Sequence, residues 1–492
     1  LDEQLSTVSF NGTDDANLTM LVDFYELTMA NGYLQDGMED QVAVFDVFFR
    51  RIPDSGGFAI AAGLKQAVEY IQRLQFSEDD LEYLRGKGIF DEAFLEYLRD
   101  FHFTCDVWAV PEGTPIFPNE PILVVRGPII QAQLLETMLL LTINHQTLIA
   151  TKTSRIVRAA DGREVFEFGA RRAHGYSAAV YGARAAYIAG CSSSSCVLAD
   201  RQFGIPTSGT MAHSWVQSFD SEYEAFQKYA LAYPDGCVLL VDTYNVLKSG
   251  IPNAIKCFDE VVAPSGFRPK AVRIDSGDIA YLSKKARRML DDAGYPDVKI
   301  IASNSLDEYI IRDLLLQGAQ VDSFGVGENL ITSKSTPVFG GVYKLVALRR
   351  DGKYVPKIKL SETTEKITTP GFKSLYRFYG KEDGKARADL VTLYNETLEV
   401  EDGITIFDPV STWKRQHLTN ISARQLLEPI FKKGQLVYKI PSLVETRNYC
   451  GQEVENLWDE VKRFENPHRY YVDLSNSLWQ VKYNALAEAD QF

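Results

Sequence analysis

The sequence predicts an α/β fold: an irregular (β/α) barrel with a second mixed α+β domain and a C-terminal α-rich extension. Three observations carry this reading. Between about residues 165 and 345, short apolar runs recur at gaps of about 20 to 35 residues, the length of a βα unit, with helical segments between them. The unusual polar residues of that stretch sit just past the ends of the runs, where a parallel barrel gathers its functional groups. The flanking segments follow other patterns, mixed helical and extended before it, aromatic and charged after it.

Taken in order, residues 1–150 read as an N-terminal α+β domain, completed by about 345–400. LVDFYELTMANGYL (21–34) spaces Leu21, Phe24, Tyr25, Thr28 and Met29 as a helix does. DVWAVPEGTPIFPNEPILVVRG (106–127) is rich in Pro, Val and Ile and reads as short antiparallel strands. Residues 151–345 form the barrel. Its runs are VFEFG (165–169), AAYIAG (185–190), VLLVDT (238–243), AVRIDSGD (271–278), VKIIASNS (298–305) and DSFGVG (322–327), with GIPTSGT (204–210) as a further candidate. Seven such units suggest a barrel rather than an open sheet. SLDEYIIRDLLLQGA starts as a helix with a capping box, Ser305 with Glu308, and stops at Gly318. IAYLSKKARRMLDDAGY puts Ile279, Leu282, Ala286 and Met289 on one face and leaves KKARR as a solvated face. Residues 401–492 are the α-rich extension.

At 492 residues the chain exceeds one ordinary domain and can bury a large core. Its formal charge of −14 opposes general attraction to nucleic acid or an anionic membrane, so any anion must be held by a local site. No window resembles a spanning helix, and LDEQLSTVSF is not a signal peptide. Six cysteines without CxxC spacing point to reduced thiols and a cytoplasmic protein.

Four motifs hold the candidate chemistry. In RIDSGD (273–278), Asp275 and Asp278 bracket Ser276-Gly277 on a turn leaving a strand. The carboxylates can accept sugar hydroxyls or hold a hydrated Mg²⁺, and the free N–H groups can meet phosphate at the helix start; Asp278 serves equally well as a helix cap. FGVGEN (324–329) offers Gly325 and Gly327, where backbone can approach a ligand, although Glu328 is ill suited to a phosphate cradle. FGARRAHG (168–175) sets Phe168 beside Arg171 and Arg172, a ring face plus guanidinium suited to a flat anion; for Arg172, pairing with a nearby acid is the favoured reading. SGTMAHSW (208–215) holds His213 among small residues. The lack of HxxxH, HxE or Cys partners argues against a metal role, which leaves a structural histidine, a base or a nucleophile. His102, His145, His174, His417 and His468 have no sharper context.

Together these motifs resemble the nicotinate phosphoribosyltransferase family, type II enzymes of NAD salvage. The resemblance runs through DFYELT, FGARRAHG, GTMAHSW, RIDSGD, SNSLDE, FGVG, VFGGVYKLV and PKIKLSETTEKITTPG, and continues weakly at HRYYVDLSNSLW. It implies transfer of phosphoribose from 5-phosphoribosyl-1-pyrophosphate to nicotinate, with ATP as co-substrate, Mg²⁺ accompanying both phosphorylated substrates, and a phosphohistidine at His213. It further implies that nicotinate stacks between Phe168 and Tyr25 of a neighbouring subunit, so that the protein is a homodimer with a shared site. The nicotinate carboxylate would face Arg171, Thr210 and Arg273. Asp275 with Ser276, Gly277 and Asp278 would take the phosphoribosyl part, and Ser303, Asn304, Gly325 and Gly327 the 5-phosphate. Ser195 would stand where the related nicotinamide enzyme has an aspartate, which favours the acid over the amide.

Two departures stand out. The family usually reads Gly-Thr-Ser-Asn-Val where this chain reads Ser193-Ser194-Ser195-Cys196-Val197, with exposed-looking thiols at Cys191 and Cys196, and Glu328 is the second. The rival readings are a nicotinamide or quinolinate enzyme and a non-catalytic phosphosugar-binding homologue. A Schiff-base aldolase is rejected, because Lys299 lies at a strand start.

Overall fold

A parallel strand buried on both faces needs little more than an apolar run, and five of the runs are such strands. In the computed structural model, which describes residues 17–361 and 366–489, they are Glu164–Glu167, Val238–Leu240, Ala271–Ile274, Lys299–Ser303 and Ser323–Val326. With Ser193–Ser194 they make one parallel sheet in the spatial order 193–194, 164–167, 323–326, 299–303, 271–274, 238–240. The stretch LDEQLSTVSF and residues 362–365 of PKIKLSETTEKITTPG lie outside the described residues.

The sheet is a half-barrel among the described residues, since its two outer strands are not paired with each other. Two expected strands are absent from it. AAYIAG closes the helix Tyr176–Ile188 instead, because alanines are the strongest helix formers and a six-residue apolar run carries no period to exclude a helix. GIPTSGT contributes one isolated bridge, Thr207 to Ser194, beside a proline that has no N–H for a ladder.

The helices between the strands follow the sequence closely. Ile279–Asp292 buries Ile279, Ala280, Ser283, Ala286 and Leu290, a stripe turned slightly from the expected one, with Leu282 and Met289 half-buried at its margin. The expected capping box at Ser305 is not formed. Helix Glu308–Leu316 is capped by Asp307, whose carboxylate accepts the N–H groups of Tyr309 and Ile310, while Ser305 has a positive φ of 39°. Glu308 is instead buried between Lys152 and Arg155 at 2.8 and 2.7 Å. The helix ends at Gly318, whose φ of 75° is the left-handed conformation that glycine favours.

The chain divides into two compact units. The half-barrel lies in Ile149–Pro337; the described residues up to Leu148 and from Val338 onward form the other. That second unit is built on a seven-stranded antiparallel sheet ordered 353–356, 342–350, 42–48, 123–128, 106–109, 428–432, 435–436. The strands expected in 106–127 are Asp106–Ala109, Pro115–Ile116 and Leu123–Pro128. A four-stranded sheet, ordered 421–425, 373–380, 386–393, 472–474, carries a wholly buried Arg377 whose guanidinium donates to both Asp389 oxygens at 2.8 and 2.6 Å. The last ninety residues are not α-rich. Strands at 404–407, 415–418, 421–425, 428–432, 435–436 and 472–474 accompany the helices Leu443–Glu455 and Asn476–Ala489. Aromatic and β-branched residues there fit a pleated, half-buried surface.

Helix Phe24–Gln35 forms as the spacing demands, yet its core side is Glu26, Leu27, Ala30 and Asn31. The apolar positions Leu21, Phe24, Tyr25 and Met29 are exposed, Phe24 at 55% and Tyr25 at 43%. Glu26 accepts the N–H and hydroxyl of Thr137, and burial pushes its carboxyl up to about 7. Between pH 4.5 and 7 the folded state therefore holds a proton that the unfolded chain releases, so this contribution to stability is present at low pH and lost as pH rises through 7. Glu26→Gln is expected to gain on the order of 1 kcal/mol relative to the parent on going from pH 5 to pH 8. Urea unfolding at both pH values measures it.

Candidate active site

Each parallel strand delivers one or two polar groups at its C-terminal end. Arg273, on the strand Ala271–Ile274, is the hub. Its Nη1 donates to Thr210 Oγ1 at 2.7 Å, its Nε to Ser303 Oγ at 3.0 Å and its Nη2 to Asp275 Oδ1 at 3.3 Å. Its guanidinium carbon stands 5.9 Å from the centre of the Phe168 ring, within cation–π range. The Ser303 hydroxyl also donates to Asp275 Oδ1. Two neighbouring strand ends and the Thr210 segment are thereby tied through side chains.

His213 opens the short helix His213–Gln217. Its Nδ1 lies 3.1 Å from Thr243 Oγ1, and its Nε2 faces Asp275 Oδ2 at 3.7 Å. The ring is half-exposed, open to a reactant on one side.

The turn Asp275–Asp278 is held from behind by Asp242, whose Oδ2 accepts the Asp275 N–H at 3.1 Å and the Ser276 hydroxyl at 2.5 Å. Gly277 has φ +83°, a left-handed backbone conformation that favours glycine. Asp278 caps the helix Ile279–Asp292 by accepting the Tyr281 N–H at 2.9 Å, the plainer of its two sequence readings.

Phe168 is half-buried and stacks on Phe166 with centroids 5.9 Å apart. It lies across Gly325, where a Cβ would come within 2.5 Å of its ring. Gly327 follows the same strand, beside the Phe168 carbonyl. Asn304 and Ser305, past the strand Lys299–Ser303, are exposed with φ of 97° and 39°, a left-handed turn uncommon for non-glycine residues. Such strained turns recur where backbone N–H groups are presented to ligands.

Phe168, Thr210, His213, Arg273, Asp275, Ser276, Ser303 and Gly325 are thus joined by direct contacts or shared partners. Ser195 follows the strand Ser193–Ser194; its N–H donates to the Glu167 carbonyl at 2.9 Å, and its hydroxyl makes no hydrogen bond among the described residues. Arg171 is exposed on the 3₁₀ turn Ala170–Arg172. Tyr25 belongs to the other unit, on the exposed face of its helix.

Both departures have structural partners. Glu328 is held by Lys334 at 2.6 Å, with Arg172 at 4.0 Å, and these cations hold its carboxyl below the usual range. The thiols that looked exposed are not: Cys191 is buried and Cys196 half-buried. Of two further carboxylates at the site, sequence reading sets Asp242 at a strand end without giving it a role and misses Glu167. Each is a lone acid at the end of an apolar run, VLLVDT and VFEFG, and that pattern was the available signal.

Comparison with known proteins agrees along the whole chain. Three family models match in order: the nicotinate phosphoribosyltransferase N-terminal domain at 20–144, the nicotinate phosphoribosyltransferase family at 164–369, and the C-terminal domain at 372–482. The nicotinate phosphoribosyltransferase of Bacillus subtilis (strain 168) is 45% identical over 477 residues, 97% of each chain. That of Mycobacterium tuberculosis is 40% identical over 461 residues, 93% of this chain and 92% of the other. The crystal structure of human nicotinic acid phosphoribosyltransferase superposes with a TM-score of 0.82 at 31% identity, covering 95% of this chain and all of that one.

Proposed function

This chain belongs to the nicotinate phosphoribosyltransferase family and has that activity, and from this premise we propose how its strand-end groups divide the work. One observation carries the proposal: Arg273 meets Thr210, Ser303, Asp275 and the Phe168 face at once. Of the five N–H donors of an arginine, three are used internally. Two remain for the carboxylate of nicotinate, with Thr210, Arg171 and Ser195 as further donors. The pyridine ring lies on Phe168.

The ribose C1–oxygen bond breaks with its electron pair leaving on pyrophosphate, and the pyridine nitrogen lone pair forms the new bond to C1. Asp275 stabilises the positive charge that develops on the sugar. Ser276, Gly277 and Asp278 present N–H groups at the start of a fourteen-residue helix. Ser303, Asn304, Gly325 and Gly327 receive the 5-phosphate. Mg²⁺ carried on the substrate phosphates would supply charge neutralisation at the leaving pyrophosphate. Asp242, with one buried oxygen lacking a partner, and Asp275 fit such an oxygen-seeking ion carried mainly by substrate phosphates and water.

His213 is the ATP-linked residue of this reading. The tautomer that donates Nδ1–H to Thr243 leaves a lone pair on Nε2. That nitrogen takes the γ-phosphoryl group as the bond to ADP breaks. The new dianion, about 1.5 to 2 negative charges, then lies against Asp275 and biases the loop that binds pyrophosphate.

Homodimer formation is supported by Phe24, Tyr25 and Met29, exposed on one helix with Leu21 just before it, where Tyr25 can cover a partner's pyridine. Residues 151–345 are the phosphoribosyl domain in this scheme, 1–150 with 345–400 the second, and 401–492 an added C-terminal part. A cytoplasmic location fits six free thiols, and among the described residues no helix is long and apolar enough to cross a membrane.

The test uses radiolabelled ATP and a set of pyridines. Nicotinate is expected to exceed nicotinamide and quinolinate by about 10² or more in kcat/KM, the scale of a missing charged partner. ATP should raise nicotinate turnover and leave an acid-labile, base-stable phosphate on the protein. His213→Ala should lose the label and the ATP stimulation. Label persisting in that variant would remove His213 from the scheme.

A further inference from the structure

The scheme above leaves one buried carboxylate without a task. Glu167 ends the strand Glu164–Glu167 and is wholly buried. Burial pushes its carboxyl pKa up, and among the described residues only hydrogen bonds oppose that cost. Its two oxygens serve two different segments. Oε1 accepts the Gly169 N–H, and Oε2 accepts the Ser194 hydroxyl at 2.6 Å. The Ser194 oxygen accepts the Cys196 N–H at 3.0 Å, and the Glu167 carbonyl accepts the Ser195 N–H at 2.9 Å.

Gly169 directly follows Phe168. A Cβ on Gly169 would stand 2.6 Å from Ile331 Cβ and 2.8 Å from the Gly327 carbonyl, so this turn is pressed against its neighbours and cannot drift. A single carboxylate therefore links the segment that carries the Phe168 ring to the loop that carries Ser195. The paired strands set the coarse spacing, with Glu167 opposite Ser194 in register. The side-chain bridge sets the rest.

We propose that Glu167 is a positioning residue for the pyridine acid, fixing the Phe168 ring and the Ser195 hydroxyl at the separation that admits nicotinate and disfavours its amide. This rests on the assignment of Phe168 and Ser195 to the pyridine. Glu167 touches no reacting atom; it acts through Gly169 and through Ser194–Cys196.

Glu167→Gln keeps the volume but replaces two acceptor oxygens by one oxygen and one NH₂, so Gly169 and Ser194 cannot both donate to it. The KM for nicotinate is expected to rise about tenfold, the scale of one lost charge-assisted hydrogen bond. The ratio of kcat/KM for nicotinate over nicotinamide should fall, and the KM for 5-phosphoribosyl-1-pyrophosphate should stay within about twofold. Ser194→Ala deletes one hydroxyl, leaves the strand intact, and should repeat the pattern at smaller amplitude; it decides the matter should Glu167→Gln fail to fold. Both KM values rising together, or neither moving, would overturn the proposal. Phe168→Ala separates the two levels. A nicotinate KM indifferent to Phe168→Ala removes the ring assignment itself, whereas a response to Phe168→Ala alone removes only the role of Glu167.

Discussion

Arg273→Ala is expected to lower kcat/KM for nicotinate by about 10³-fold or more, most of it in KM for the pyridine. Removing a single preorganised donor at a reacting charge costs about 10² to 10³, and Arg273 is more than one donor. It orders Thr210, Ser303 and Asp275 and lies over Phe168. Truncation leaves Asp275 with the Ser303 hydroxyl but without its adjacent cation. Arg273→Lys should recover little, because an ammonium cannot reproduce a planar fork directed at three fixed acceptors. Steady-state kinetics with each substrate varied in turn checks this; a loss below about tenfold would show that the nicotinate carboxylate is held elsewhere.

The largest effect on stability is expected at Arg377. It is wholly buried, bidentate to Asp389, and donates to the Pro115 carbonyl at 2.8 Å. Phe117 and Tyr470 stack at 3.9 Å beside it, and the Tyr470 hydroxyl donates to Asp389 at 2.9 Å. Burial and the charge of Asp389 push the nearby Glu120 carboxyl well up. Arg377→Met leaves Asp389 as an uncompensated buried charge, which costs about 3–5 kcal/mol. Adding Asp389→Leu removes that charge and should recover more than half of the loss, since an apolar pair of similar volume is close to neutral. Calorimetry of the parent, single and double variants measures both steps. A single variant within about 1 kcal/mol of the parent would mean that water or Glu120 reorganises to serve Asp389.

The parallel strands were legible because they are apolar runs that end in polar residues, a pattern that survives without tertiary information; the closure expected from seven units is not seen among the described residues, where six strands make a half-barrel. The other errors were local. AAYIAG lacks any period, so strand and helix were equally compatible with it, and SLDE contains two competing caps, of which Asp307 stands nearer the helix than Ser305. Helix Phe24–Gln35 was read correctly as a helix, yet the sequence could not say which side the core would cover. Within the site, Arg273, Asp275 and Ser303 were found as individuals; their mutual hydrogen bonds depend on two neighbouring strands about thirty residues apart in sequence and could not be read. His213 marks the limit most clearly. Its neighbours left base, nucleophile and structural histidine open, and only the family resemblance chose among them.

The Phe168 ring occupies the space where residue 325 would otherwise carry a side chain. For redesign of acceptor scope this closes one direction completely. The floor beneath the aromatic plane can be neither raised nor recontoured without evicting the ring, so a library randomised at 325 should return only parental clones. Bulkier heteroaromatic acids must gain their room laterally, at positions 195 and 210, whose hydroxyl-bearing residues are assigned to the pyridine carboxylate and are not wedged beneath the ring.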